Sequence, residues 1–216
     1  MDKAQVLERI RSIGLVPVIR ARSAEEAARA ADAIQAGGVS ILEITMTVPG
    51  AVEVIREMAG RPGDALVGAG TVLDPEAARA CMDAGAQFVV TPALNLETIA
   101  TCGKAGVAII PGALTPTEVV TAWRAGADLV KIFPAGAVGG PSYIKALKAP
   151  LPQIDLVPTG GVNLETAGDF IRAGAAALGV GGDLVDLAAL RRGEAAVVTE
   201  RAQRFVEAVR EARQAG

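Results

Sequence analysis

Short apolar runs alternate with alanine-rich amphipathic stretches along almost the whole of this chain, recurring roughly every two to three dozen residues, the rhythm of the βα unit. The runs lie near Val16–Ile19, Val39–Ile44, Ala65–Ala69, Gln87–Val90, Val107–Ile110, Leu129–Ile132, Asp155–Val157 and Ala177–Gly179. The helices that follow are expected to begin near Ser23, Pro49, Asp74, Asn95, Thr115, Gly140, Asn163 and Asp183. With 51% hydrophobic but only 3% aromatic residues, the core must be built from Val, Ile, Leu and Ala, which suits strands covered by helices on both faces. Eight units of similar size joined by small glycine-rich loops favour closure over an open α/β sheet, the structural competitor. The expectation is an α/β fold, a single (β/α)8 TIM barrel spanning 1–216 as one domain, because 216 residues suffice for one core and are short for two. Asp2–Ile13, with Val6, Leu7 and Ile10 on one side, reads as an N-terminal helix capping the bottom of that barrel. Gly193–Ala212 reads as a closing helix.

Local chemistry supports the punctuation. In Ser23-Ala24-Glu25-Glu26 the serine can cap orphan backbone donors while Glu26 occupies the reciprocal capping-box position. Asp74-Pro75-Glu76 places proline at the first helical position, where its missing N–H costs nothing, and Thr115-Pro116-Thr117-Glu118 repeats the device. Glycines at Gly37-Gly38, Gly60, Gly85, Gly103, Gly126 and Gly174 stand where helices end.

Several function classes are excluded or disfavoured. The 21 basic and 24 acidic residues leave a formal charge of -3, too little positive character for a nucleic-acid surface, though a phosphate-sized anion can still bind locally. With no histidine, a His-ligated zinc site and every His-based catalytic arrangement are ruled out. Cys81 and Cys102 lie in Ala-rich helical stretches and read as reduced, packed thiols, their spacing matching no metal motif. No apolar run approaches the roughly 20 residues of a membrane span and no signal core opens the chain, so a cytoplasmic protein without membrane partners is expected.

A barrel carries its chemistry at the C-terminal ends of its strands. Strand alternation puts Glu43 in register with Val39 and Ile41, Lys131 with Leu129, and Arg20 with Val16 and Val18, directing three charged groups into the mouth. Glu43 and Lys131 are either a structural ion pair or a desolvated amine beside a proton-transfer carboxylate; a lowered lysine pKa would free the amine to attack a carbonyl. Gly68-Ala69-Gly70-Thr71 leaves room for substrate and one hydroxyl; Thr91 and Pro92 end the fourth strand, and Phe133 borders the lysine. Thr71 and Thr91 are candidate contacts to a substrate carboxylate, against the plainer alternative of structural threonines. Gly160 and Gly161, with Gly181 and Gly182, sit in adjacent loops that either make tight turns or cradle a phosphate with backbone N–H groups and helix termini. Their spacing is neither a dinucleotide fingerprint nor a P-loop. Trp123 and Phe170 read as helix-face packing residues.

Leu42-Glu43-Ile44-Thr45, Gly68-Ala69-Gly70-Thr71-Val72, Lys131-Ile132-Phe133-Pro134-Ala135 and Pro158-Thr159-Gly160-Gly161-Val162 occur in this order between Val16 and Asp183. Together they resemble the 2-keto-3-deoxy-6-phosphogluconate (KDPG) aldolase family, also called the 4-hydroxy-2-oxoglutarate aldolases. The resemblance implies a class I aldolase, a carbon–carbon lyase needing no metal or cofactor and often trimeric. In it Lys131 forms a Schiff base with the 2-keto acid, Glu43 shuttles protons through a water, and Thr71 helps to bind the carboxylate. Arg20 would lie near the catalytic pair. Two departures stand out: many members carry arginine where this chain has Thr47, and serine where it has Asp183. A carboxylate there would repel a phosphate unless Asp183 turns away to cap the following helix. The expected reaction is cleavage of 2-keto-3-deoxy-6-phosphogluconate to pyruvate and glyceraldehyde 3-phosphate. Its neighbours are aldolases for unphosphorylated 4-hydroxy-2-keto acids or for the phosphogalactonate epimer. An assembly scaffold with incidental catalysis is the alternative of another class.

Overall fold

The computed structural model describes residues 1–215. Every apolar run forms a strand: β1 (Leu15–Ile19), β2 (Ile41–Thr45), β3 (Leu66–Gly70), β4 (Phe88–Val90), β5 (Ala108–Ile110), β6 (Gly112–Ala113), β7 (Val130–Ile132), β8 (Leu156–Pro158) and β9 (Leu178–Val180). The fifth run, near Val107–Ile110, forms β5 alone, and β6 is a short further strand beyond it, set apart by Pro111, which has no N–H to continue the ladder although its carbonyl still accepts from the Lys131 N–H at 2.9 Å. All strand residues are buried, as expected of strands covered on both faces.

Helices flank the strands in sequence, with none between β5 and β6: α1 (Lys3–Ile13), α2 (Ala24–Ala36), α3 (Ala51–Ala59), α4 (Pro75–Asp83), α5 (Leu96–Ala105), α6 (Pro116–Arg124), α7 (Pro141–Lys148), α8 (Ala167–Arg172), α9 (Leu187–Arg191) and α10 (Ala195–Gln214). Ser23, Asp74, Asn95 and Thr115 cap their helices as the sequence indicates. Helix α1 buries Val6, Leu7 and Ile10, and its Lys3, Arg9 and Arg11 pair with Asp128, Asp64 and Asp155, residues that precede β7, β3 and β8.

Pairing is parallel throughout. The strands form a curled six-stranded sheet, β5-β4-β3-β2-β1-β9, and a three-stranded sheet, β6-β7-β8, rather than one uninterrupted ladder. Two isolated parallel bridges, Leu156 with Ala175 and Thr159 with Gly179, run between β8 and the β9 segment.

Some expectations need correction. Helices α8 and α9 do not begin at Asn163 and Asp183. The Asn163 side chain closes a turn by accepting from the N–H groups of Glu165 and Thr166, so α8 starts only at Ala167. Asp186, not Asp183, caps α9, with its Oδ1 accepting from Ala189 N at 2.9 Å. Trp123 is not a packed helix-face residue: it is 42% exposed, whereas Phe170 is fully buried. Cys81 and Cys102 are buried free thiols.

Candidate active site

The C-terminal ends of β1, β3, β7, β8 and β9 surround a cavity of about 490 Å³. Arg20, Thr47, Thr71, Pro92, Lys131, Phe133, Gly160, Gly161, Gly181, Gly182 and Asp183 all line it. Thus nearly every residue singled out in the sequence converges on one opening. Strand periodicity accounts for Arg20 and Lys131, which continue inward-facing rows; Glu43 continues another such row but is not on the cavity lining, and most of the other lining residues come from the loops that follow the strands.

Glu43 and Lys131 are only 2% and 4% exposed. Among the described residues no N···O contact within 4.0 Å joins them, and Glu43 Oε1 is buried without a hydrogen-bond partner. A direct structural ion pair is therefore not what this geometry contains. Burial pushes the Glu43 carboxyl up from its ordinary value, against the pull of Lys131 and Arg20. Burial likewise pushes the Lys131 amine down, opposed by Glu43 and assisted by Arg20. Both groups are driven toward their neutral forms, a free amine and a proton-bearing acid. The amine also stands 5.0 Å from the centroid of the Phe133 ring.

The small residues at the end of β3 make room for protein rather than substrate. A Cβ on Gly68 would meet the Phe88 ring at 2.3 Å, and one on Gly70 would lie 1.9 Å from Glu43 Oε1. Gly70 is thus the seat of the Glu43 carboxyl. Thr71, immediately after it, sits at φ 58, a left-handed conformation uncommon for a β-branched residue and typical of strain held at a functional site.

Thr91 does not behave as a substrate contact. Its buried hydroxyl donates to Ala93 O at 2.5 Å and accepts from Gly112 N at 3.1 Å, joining the ends of β4 and β6. Thr47 is tied sideways: its hydroxyl is 2.6 Å from that of Thr45, which also reaches Ile19 O at 3.0 Å. Because Thr45 has one proton and a carbonyl to receive it, Thr47 donates to Thr45 and turns acceptor capacity toward the cavity.

On the opposite wall, the backbone N–H groups of Gly161, Val162, Gly181, Gly182 and Asp183 have no protein acceptor among the described residues. Gly160 and Gly161 adopt φ of +83 and +79, and a Cβ on Gly161 would meet Gly136 Cα at 2.8 Å, so this loop needs glycine for conformation and for close approach. The donors belong to the loops themselves. Since α8 and α9 start further along, the expected helix termini do not face the cavity. Asp183 is exposed at its rim, and its carboxylate accepts no hydrogen bond among the described residues.

Thr159 also lines the cavity and was not singled out. It is 4% exposed, and its hydroxyl has only a long 3.5 Å contact to Val157 O. Its parity with Val157 was the available signal. No group of three or more His, Cys, Asp or Glu side chains that could hold a metal ion occurs among the described residues.

A parallel α/β scaffold that buries a lysine and a carboxyl at its strand ends, opposite an array of unpaired N–H groups, defines a class of enzyme: a lyase that works through an amine–carbonyl adduct. The chain belongs to the KDPG and KHG aldolase family, whose model matches residues 6–201. It is 36% identical over 206 residues to a 2-dehydro-3-deoxy-phosphogluconate aldolase of Treponema pallidum, covering 95% of this chain and 96% of the relative. It is 40% identical over 201 residues to a 2-dehydro-3-deoxy-6-phosphogalactonate aldolase of Escherichia coli, covering 92% and 95%. Among solved structures it resembles KDPG aldolase from Legionella pneumophila with pyruvate captured as a covalent carbinolamine intermediate. That likeness has a TM-score of 0.85 at 30% identity and covers 92% of this chain and 97% of that one.

Proposed function

We propose that the protein is a class I aldolase that cleaves 2-keto-3-deoxy-6-phosphogluconate to pyruvate and glyceraldehyde 3-phosphate, with Lys131 as the Schiff-base residue. The observation that carries this reading is a lysine amine 4% exposed, without a direct ion pair, at the end of a buried strand. A neutral amine can attack the C2 carbonyl; the carbinolamine hydroxyl then leaves as water with a proton given by the Glu43 acid, and the resulting iminium accepts the electron pair of the breaking C3–C4 bond. Glu43, ionised by that transfer, takes the C4 hydroxyl proton through a bridging water and returns it to C3, and it regains its own proton when hydrolysis of the iminium releases pyruvate. Thr71, Pro92, Phe133 and Thr159 shape the keto-acid end, and Arg20 with the free N–H groups of the two glycine loops takes the phosphate. Incubation with pyruvate and borohydride should add one reduced pyruvyl mass to the peptide carrying Lys131, and Lys131→Ala should abolish both labelling and turnover. Labelling of another lysine in active protein rejects the assignment.

A second reading, the phosphogalactonate epimer, is favoured by the relative at 40% identity. The substrate is settled by kcat/KM for both phosphorylated epimers, the dephosphorylated acid and 4-hydroxy-2-oxoglutarate. We expect the phosphogluconate compound to be best, and Asp183→Ser to raise the preference for phosphorylated acids modestly, because that exposed carboxylate stands at the rim of the anion site. Equal use of the dephosphorylated acid counts against a dedicated phosphate site.

At the level of the scaffold, the two sheets are read as one closed (β/α)8 barrel of a single domain, 1–216, capped by α1. The bridges Leu156–Ala175 and Thr159–Gly179, and the bonds Lys131 N to Pro111 O and Asp128 N to Ile109 O, support this closure. Leu73 and Leu96, 63% and 51% exposed and linked by Asn95 Nδ2 donating to Leu73 O, support burial of that surface in a homotrimer. The free buried thiols are in keeping with a cytoplasmic setting.

A further inference from the structure

The loop after β9 is a thin wall. On one side lies the catalytic cavity; on the other is a second, polar hollow of about 570 Å³ whose lining includes Asn163, Arg201 and Arg204. Gly182 and Asp183 border both. Within the loop, the N–H groups of Leu184 and Val185 both turn back to Gly181 O, at 3.0 and 2.8 Å. That leaves Gly181, Gly182 and Asp183 with unpaired donors.

We propose that Arg201, on α10, is the positioning residue that aims these donors at the substrate's anionic end. The proposal rests on the reading of the glycine loops as an anion cradle. Arg201 Nη1 donates to Asp183 O at 3.3 Å and to Gly182 O at 3.5 Å, both long bonds, while Nη2 holds Asp186 at 3.0 Å. Asp186 in turn caps α9. A trans peptide is planar with its C=O and N–H opposed, so drawing the Gly182 carbonyl outward onto Arg201 turns the Asp183 N–H the other way. Arg20 braces the inner side, since a Cβ on Gly181 would lie 2.8 Å from its Nη1. The loop is thus held between two arginines, of which only Arg20 lines the catalytic cavity. Lysine cannot replace the outer one, because three acceptors are gripped by a planar fork.

The test compares Arg201→Met, Arg201→Lys and Asp186→Asn with wild type, measuring kcat and KM on the phosphorylated keto acid and on 4-hydroxy-2-oxoglutarate, together with pyruvate–borohydride trapping and thermal midpoint. Arg201→Met should raise KM for the phosphorylated acid about tenfold, the scale of one or two lost charge-assisted hydrogen bonds, with kcat changed less than about twofold. KM for 4-hydroxy-2-oxoglutarate and imine trapping should stay as in wild type. Arg201→Lys should recover little, and Asp186→Asn, which keeps a capping oxygen but loses the charge pair, should show a smaller version of the same selective defect. Full recovery in Arg201→Lys would mean that charge alone acts, and parallel losses on both substrates with a lowered midpoint would mean general support; either overturns the proposal. Unchanged KM in folded Arg201→Met overturns it directly. A wild type indifferent to phosphate removes the cradle itself, an outcome visible before any variant is compared.

Discussion

The catalytic pair illustrates how one residue's neighbours set its chemistry. Glu43 is held in place by what Gly70 lacks, because any side chain there would occupy the position of the carboxylate oxygen. Glu43→Gln preserves volume but not acid–base capacity, so turnover should fall at least ~100-fold, the usual scale for a lost general acid–base, while weak imine trapping survives. Near-normal kcat would make Glu43 a structural residue. The same variant reports on stability. Because burial raises the Glu43 pKa above its ordinary 4.5, the folded state binds the proton more tightly than the unfolded state. The stability tied to that proton is complete below pH 4.5 and is lost as pH rises through the folded value. Glu43→Gln, which does not titrate, should therefore gain on the wild type as pH climbs from 4.5, measured by urea unfolding across pH. A variant that instead loses ground to the wild type as pH climbs would contradict a raised pKa.

At the scale of elements, capping decides where helices start and so which donors face the site. Ser23, Asp74, Asn95 and Thr115 were legible because each is a capping residue directly ahead of an amphipathic run. The start of α9 was not, since Asp183 and Asp186 are both plausible caps and the choice depends on Gly181 O first collecting the Leu184 and Val185 N–H groups. Asp186→Ala should cost about 1 kcal/mol from the cap, and more if the Arg201 pair contributes, whereas Asp183→Ala should stay within about 0.5 kcal/mol. Chemical denaturation of the two variants measures this; a reversed order would restore Asp183 as the cap. The division between β5 and β6 was also open to inspection, because Pro111 cannot donate to a ladder.

For the whole molecule, the exposed leucines carry the prediction. Leu96→Glu places a charge on the Leu73–Leu96 surface, where burial against another copy would demand its desolvation. Wild type should sediment as a trimer at dilute concentration and Leu96→Glu as a smaller species with its fold intact. A wild-type monomer, or a variant trimer, would place the contact elsewhere or remove it. Among the described residues no helix is long and apolar enough to cross a membrane.

What the sequence by itself determined was the order of the elements and most of their caps, which local rules govern. The two-residue period of strands and the period of helices named the elements, and strand parity named Lys131, Glu43 and Arg20 as inward-facing. What only the tertiary structure decided depends on distances between residues far apart in the chain. Whether Glu43 and Lys131 touch, that Thr91 spends its hydroxyl on Ala93 and Gly112, and that Phe88 and Glu43 fill the space beside β3 are facts of packing. The reach of Arg201 across to Gly182 and Asp183 is another, and no periodicity encodes it. The physical reason is that burial, desolvation and hydrogen-bond satisfaction are properties of a residue's spatial neighbours, which the fold brings together from opposite ends of the chain.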